Sequence, residues 1–281
     1  MADDRTGAGR GSLILGGGAG RNVTIATAST LVFFTVLVLV IVNAPGWPKV
    51  KEAFFNPSEF RAWFWPVLHA FTLNIKIAVV CEVVILVAAL GLAVIRSLPG
   101  PVFFPLRLLA IIFADVFRGV PTIMLVYLFG FGIPTLGLGG SLLQNPTYLA
   151  AVALIIVYTA YVSEVYRAGI LGVHPSQEAA ARSLGLTRWQ STRTVIIPQA
   201  IRRVIPPLLN DFIGLQKDTA LISVLGVVEA MQRAQLASAA DFNYTPFIVA
   251  GVLFVLITVP QARFTDVLID RDRRRQFAAM R

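Results

Sequence analysis

Charged and strongly polar side chains inside long apolar runs are the residues here that could do chemistry. An ionised group at the centre of a bilayer is costly unless it faces a cavity or a partner. Such groups gather in three places: Arg118, three residues before Pro121; Glu164 with Arg167; and the run Gln216, Lys217, Asp218, Thr219. A mixed set of acid, base and hydroxyl suits a ligand that carries both charges, such as a zwitterionic amino acid. Its ammonium would face a carboxylate, and its carboxylate would face Lys217 or a helix N-terminus. A plainer account stands beside this one. Glu164 and Arg167 can pair on one helix face, and Arg118 can anchor at the headgroups. Lys217 and Asp218 differ, because adjacent helical residues point about 100° apart and cannot satisfy each other. Asn210 and Asp211, just after Pro206-Pro207, read as reinforcement of a helix end.

Bond-making chemistry finds no support. The sequence holds no G-x-x-x-x-G-K-[ST] phosphate loop, so nucleotide hydrolysis by that route is excluded. His69 and His174 are isolated, and neither G-x-S-x-G nor H-E-x-x-H occurs. Cys81, the one cysteine, lies in an apolar run, so neither a disulfide framework nor a thiolate metal site is available. The expectation is no catalytic residue, no metal and no cofactor held by this chain.

The elements that must position these residues are membrane spans. Of 281 residues, 56% are hydrophobic and 14% charged, and the mean hydropathy of +0.74 is that of a polytopic membrane protein. The net charge of +9 comes from Lys and Arg spread over loops that flank apolar runs. No aromatic-basic stripe accompanies it, so the charge reflects membrane topology and no nucleic acid is expected. Six spans are predicted: Val23–Val42; Phe71–Val94, with Lys76 able to snorkel; one restarting at Pro121 after an oblique helix to about Phe117; Leu149–Tyr166; Pro206–Val228; and Thr245–Val267, with Pro260 inside it. Asn43–Trp65, rich in tryptophan, reads as an interfacial loop. Basic residues concentrate in the connections after the second and fourth spans and at the C-terminus. That bias puts both termini in the cytoplasm of a multi-pass protein of the cytoplasmic membrane.

Between the fourth and fifth spans lies a stretch too polar to enter the bilayer, Ser176–Gln199. Gln177, Glu178, Ala179, Ala180, Ala181, Arg182, Ser183 and Leu184 predict a short helix, with Ser176 as its N-cap after Pro175. Gly185 suits the left-handed position that ends a helix, and Leu186 follows it. Thr187 with Gln190 has the capping-box pattern, so a second helix starts there and runs to the Pro198 region. Two helices joined at a glycine make an elbow able to enter a partner's groove.

This stretch resembles the EAA loop of the permease subunits of ATP-binding-cassette importers: an alanine-rich helix, Gly185, then Ile197-Pro198. Arg202–Val224 resembles the polar amino acid branch of that family. So do Arg118-Gly119-Val120-Pro121, and Ala160-Tyr161 with Glu164, Arg167 and Gly169-Ile170. The matches keep the family's order and span roughly Phe71–Arg275. Two departures stand out. The family's glutamate position falls on Ala179, with Glu178 one residue earlier, and Ala220 replaces the usual serine after Thr219.

The resemblance implies an all-α integral membrane protein with about six transmembrane helices: a five-helix core like that of type I importers plus an extra N-terminal helix. Together with the Gly-rich, aperiodic start of the chain, which reads as a flexible tail (1–22), and the apolar run after it, the resemblance divides the chain further into an N-terminal helix and outer loop (23–66), a permease core (67–269) containing the coupling loop (172–200), and a basic tail (270–281). It also implies transport of a polar amino acid by alternating access, and places Arg118, Pro121, Glu164, Gln216, Lys217, Asp218 and Thr219 as path candidates. The partners implied are a cytoplasmic ATP-binding subunit that holds ATP and Mg, an extracytoplasmic solute-binding protein, a second permease subunit, identical or related, and the lipid bilayer. An ion-coupled secondary transporter would explain the buried charges but not the polar elbow. A membrane scaffold would explain the elbow alone.

Overall fold

The computed structural model describes residues 19–279, with side chains over residues 22–271. Of the expected N-terminal tail, residues 1–18 lie outside the described residues; the last four begin a helix, α1 (Ala19–Val42). All regular structure among the described residues is helical. The chain divides into two units, Met1–Phe55 and Asn56–Arg281.

The first unit holds α1, which is apolar and long enough to cross a bilayer, and α2 (Trp47–Phe54). The stretch expected to be an interfacial loop is therefore mostly helix, because Pro48 sits in the first turn of α2 and Asn56 starts the next helix directly. Proline costs nothing in a first turn, where its missing N–H has no acceptor.

In the second unit α3 (Pro57–Ser97) opens with the Asn56 side chain accepting from the N–H groups of Ser58 and Glu59. It runs 41 residues through Pro66, about 60 Å at the usual rise and twice the thickness of a bilayer core. The second span thus begins well before Phe71. α4 (Phe104–Gly119) meets α5 (Thr122–Tyr127) at a bend of 104°. Val120 and Pro121 form the break, both extended, so Pro121 caps α5 instead of lying inside it. A π-turn (Leu128–Gly132) and a short α6 (Ile133–Thr135) complete this broken span.

α7 (Pro146–Leu171) is the hub, started by the Asn145 side chain and packed against α3, α4, α5 and α10. Its buried Leu149, Leu154, Val157 and Val162 meet Ile85 of α3 and Val126 of α5. Alanines and Gly169 let neighbouring helices come close: a Cβ on Gly169 would collide with the Val204 side chain and lie 3.4 Å from the Ala200 carbonyl oxygen of α10. α8 (Pro175–Ser183) and α9 (Arg188–Ser191) form the polar connection.

A π-turn (Thr192–Ile196) leads into α10 (Ile197–Asp218). Pro198 falls in the first turn of α10, so it starts this helix and does not end the previous one. The expected fifth span also stops early. After Asp218 come a 3-10 segment (Thr219–Leu225), the left-handed Gly226 and α11 (Ala230–Asp241). α12 (Thr245–Ala279) continues past Val267 into the basic C-terminal stretch. It packs with α3 and α11 through Phe71, Ala230, Val249 and Leu253. Among the described residues four helices are apolar and long enough to span, and the bent pair makes a fifth. α10, with Asp211, Gln216, Lys217 and Asp218, does not qualify by composition.

Candidate functional site

The elbow is built from local hydrogen bonds. Pro175 takes the first helical position of α8 and forces His174 into an extended conformation, so His174 is the N-cap and Ser176 is not. His174 Nδ1 accepts from the Ser176 N–H at 3.2 Å. At the other end Gly185 adopts φ +85°. Its N–H reaches the Arg182 carbonyl at 3.0 Å, and the Leu186 N–H reaches that of Ala181 at 3.2 Å. These are the paired bonds of a Schellman stop. The next helix opens two residues later with the expected capping box: Gln190 N–H to Thr187 Oγ1 at 3.3 Å, Thr187 N–H to Gln190 Oε1 at 2.9 Å.

Glu178 pairs with Arg188 across the turn at 3.7 Å, and Gln199 donates to Gln177 at 3.4 Å. Ala181 is buried against the fold, while Leu184 (84% exposed) and Trp189 (68%) present apolar surface.

Two of the predicted path residues come together. Arg118 at the α4 break lies 3.3 Å from Glu164 on α7, and the Tyr161 hydroxyl donates to the Arg118 carbonyl at 3.2 Å. The same carboxylate also receives Arg96 from the end of α3 and Arg167 at 2.9 Å. Glu164 is thus shared by three arginines and is not confined to the helix-face pair with Arg167. Pro121 stands two residues beyond Gly119 at the break and sets the direction of α5.

The α10 candidates separate. Asp218 accepts from the Tyr158 hydroxyl of α7 at 3.1 Å, while Lys217 is exposed and forms no ion pair among the described residues. Thr219 belongs to a buried clasp. Its hydroxyl accepts from Asn74 Nδ2 at 3.0 Å and donates to the Gln216 carbonyl at 2.7 Å. Asn74 Nδ2 also donates to Glu229 at 2.7 Å, and Asn74 Oδ1 accepts from the Ala230 N–H at 3.1 Å. Glu229 caps α11 by accepting from Met231 and Gln232. Gln216 is 1% exposed, and both its amide atoms lack partners among the described residues.

A groove of about 350 Å³ runs between α3 and α10, lined by Val79, Val83, Leu86, Leu208 and Phe212 with Glu82 among them. Glu82 and Asp211 each leave one buried carboxylate oxygen without a partner. Asp211 therefore lies within the helix and does not reinforce its end.

Sequence reasoning missed Arg96, Tyr158, Asn74 and Glu229. Asn74 carried a signal, a lone amide in an apolar run.

Among known proteins, the sequence model of the family described as "Binding-protein-dependent transport system inner membrane component" matches residues 101–274. The chain is 32% identical over 194 residues to the arginine transport system permease protein ArtQ of Bacillus subtilis (strain 168), covering 69% of this chain and 86% of that one. It is 40% identical over 166 residues to the nopaline transport system permease protein NocQ of Agrobacterium fabrum (strain C58), covering 56% and 70%.

A solved amino acid ABC transporter with histidines superposes at a TM-score of 0.66 with 28% identity, covering 73% of this chain and 93% of that one. The inward-facing MetNI methionine ABC transporter, at 0.59 and 19% identity, covers 74% and 96% and shares the fold. These neighbours are type I importer permeases, so the all-α core expected from the sequence is the one observed. An ion-coupled secondary transporter does not fit this family. The match covers more than half of the chain, and the chain belongs to the inner membrane components of binding-protein-dependent transport systems: it is a permease of such a system.

Proposed function

We propose that this permease carries a polar amino acid across the cytoplasmic membrane by alternating access, driven by a separate ATP-binding subunit that holds the ATP and Mg. Residues 67–269 form the translocating core, residues 172–200 its coupling loop, and both termini face the cytoplasm. The observation that carries the reading is the elbow, where a Schellman stop and a capping box fix two short helices at Gly185. A rigid projection with exposed Leu184 and Trp189 at its turn suits insertion of Gln177–Leu186 into a groove of the ATPase. Closure of the ATPase pair then moves the elbow, and α7 and α10 follow because each adjoins it in the chain.

A second permease subunit encloses the path, and an extracytoplasmic solute-binding protein delivers the solute. The relatives named for arginine and nopaline support a nitrogen-rich polar solute. Glu178 is engaged with Arg188, so on this reading the ATPase meets the small surface of Ala179 and Ala180 and the side chain of Leu184.

Uptake of labelled amino acids into vesicles carrying the complete transporter tests this. Uptake that requires both ATP and the ATPase subunit is expected. Uptake driven by an ion gradient alone, or none under any condition, contradicts it.

A further inference from the structure

The charge cluster around Glu164 does not close on itself. Arg96, with its side chain 9% exposed, pairs with Glu164 Oε1, and that inner pair is neutral. Arg118 and Arg167 share the same carboxylate at 3.3 and 2.9 Å, yet their side chains are 39% and 45% exposed. Neither pairs with a second acid among the described residues. Two guanidinium groups are therefore left without counter-charge, each with donors to spare of the five it carries.

Two neighbouring planar donor forks match the geometry of a carboxylate better than a lone ammonium does. Lys217 lies on α10, exposed and not among the groups that pair with Glu164. The two forks are also held in place, Arg167 one turn along α7 from Glu164 and Arg118 at the helix break, where Tyr161 grips its carbonyl.

We propose that Arg118 and Arg167 receive the carboxylate of the transported solute, with Arg96 and Glu164 as positioning residues that hold the two forks. This rests on the transport reading above and adds the residues that recognise the solute's acid group. The same two forks could bind the phosphate of an anionic lipid, so the experiment separates the two sources.

ATP-driven uptake is measured in proteoliposomes holding the complete transporter, after the carried amino acid has been identified from a labelled mixture. Arg118→Ala and Arg167→Ala should each raise KM about tenfold or more while turnover changes little. Arg118→Lys, which keeps the charge but loses the fork, should recover part of the loss. With the wild-type complex, which needs no variant to fold, the carboxamide of the carried amino acid should compete at least tenfold more weakly than the acid.

Equal competition by acid and carboxamide overturns the assignment, as does an unchanged KM in both alanine variants. An unchanged KM together with a new dependence of rate on phosphatidylglycerol assigns the forks to lipid phosphate and also overturns it. A wild-type complex that carries no amino acid would sink the transport reading and this assignment together.

Discussion

Two polar clusters tie helices together in this molecule, and they are built on opposite terms. In the clasp of Asn74, Thr219 and Glu229 every side chain is 0% exposed, and each acceptor meets a donor from another element. Around Glu164 one carboxylate serves three arginines, two of them open to their surroundings. A polar group buried with its partners satisfied is expensive to disturb and has nothing left to bind. A charge cluster with surplus donors keeps the capacity to take a ligand or to change partners. The first arrangement is an anchor for α3, the 3-10 segment and α11. The second, on the α7 end that leads into the elbow, is where a moving or binding part belongs.

Changes at the clasp should have the largest effect on folding. Glu229→Ala strips the cap from α11, takes one of the two acceptors from the buried Asn74 amide, which keeps Thr219, and leaves two part-buried backbone N–H groups without theirs. A loss of about 3 kcal/mol is expected, read as a lower melting temperature of the detergent-purified protein and less protein in the membrane. Whatever folds should keep its KM. A normal melting temperature would erase the contrast between the clusters.

Gly185→Val comes next. A β-branched residue at φ +85° is strained by about 1–3 kcal/mol. The strain lies in an exposed turn with open space around it, so membrane insertion should survive and ATP-driven uptake should fall. Intact uptake would show that the elbow tolerates distortion.

Glu164→Gln leaves three guanidinium groups facing a neutral amide. Because the site is partly exposed, the stability lost should be about 1 kcal/mol, with a much larger change in solute KM than in melting temperature. The reverse pattern would make this cluster a second anchor.

Glu178→Ala should do least. Its partner Arg188 is 86% exposed, and such pairs contribute about 0.5 kcal/mol or less. A marked drop in ATPase binding by this variant would show that Glu178 leaves Arg188 to meet the partner.

The sequence made the elbow legible because its signals are local. Gly185 must turn, and Thr187 and Gln190 lie one helical turn apart. The same kind of signal stands at Asn56-Pro57, masked by the aromatic residues around it, and it starts α3 fourteen residues before the apolar run at Phe71. His174 was missed as a cap because proline fixes the residue before it, a constraint stronger than serine's preference for the capping position. The two clusters were only half visible. Asn74 and Glu229 lie 155 residues apart, and Arg96 and Glu164 lie 68 apart. No periodicity connects such distances; only the packing of α3 against α7 and α11 does. The polar run ending α10 looks like one site along the sequence, but helical geometry sends Lys217 outward, Asp218 to Tyr158 and Thr219 to Asn74.

The central claim is that the turn at Gly185 faces the cytoplasm and docks on a separate ATP-binding subunit. Its most direct test is thiol labelling of Ala180→Cys in a Cys81→Ala background, where the introduced cysteine is the only one in the chain. A membrane-impermeant reagent should label it in inside-out vesicles stripped of the ATPase and not in right-side-out vesicles, and restoring the ATPase subunit should protect it. Labelling from the outer face, or labelling that the ATPase does not alter, would contradict the account.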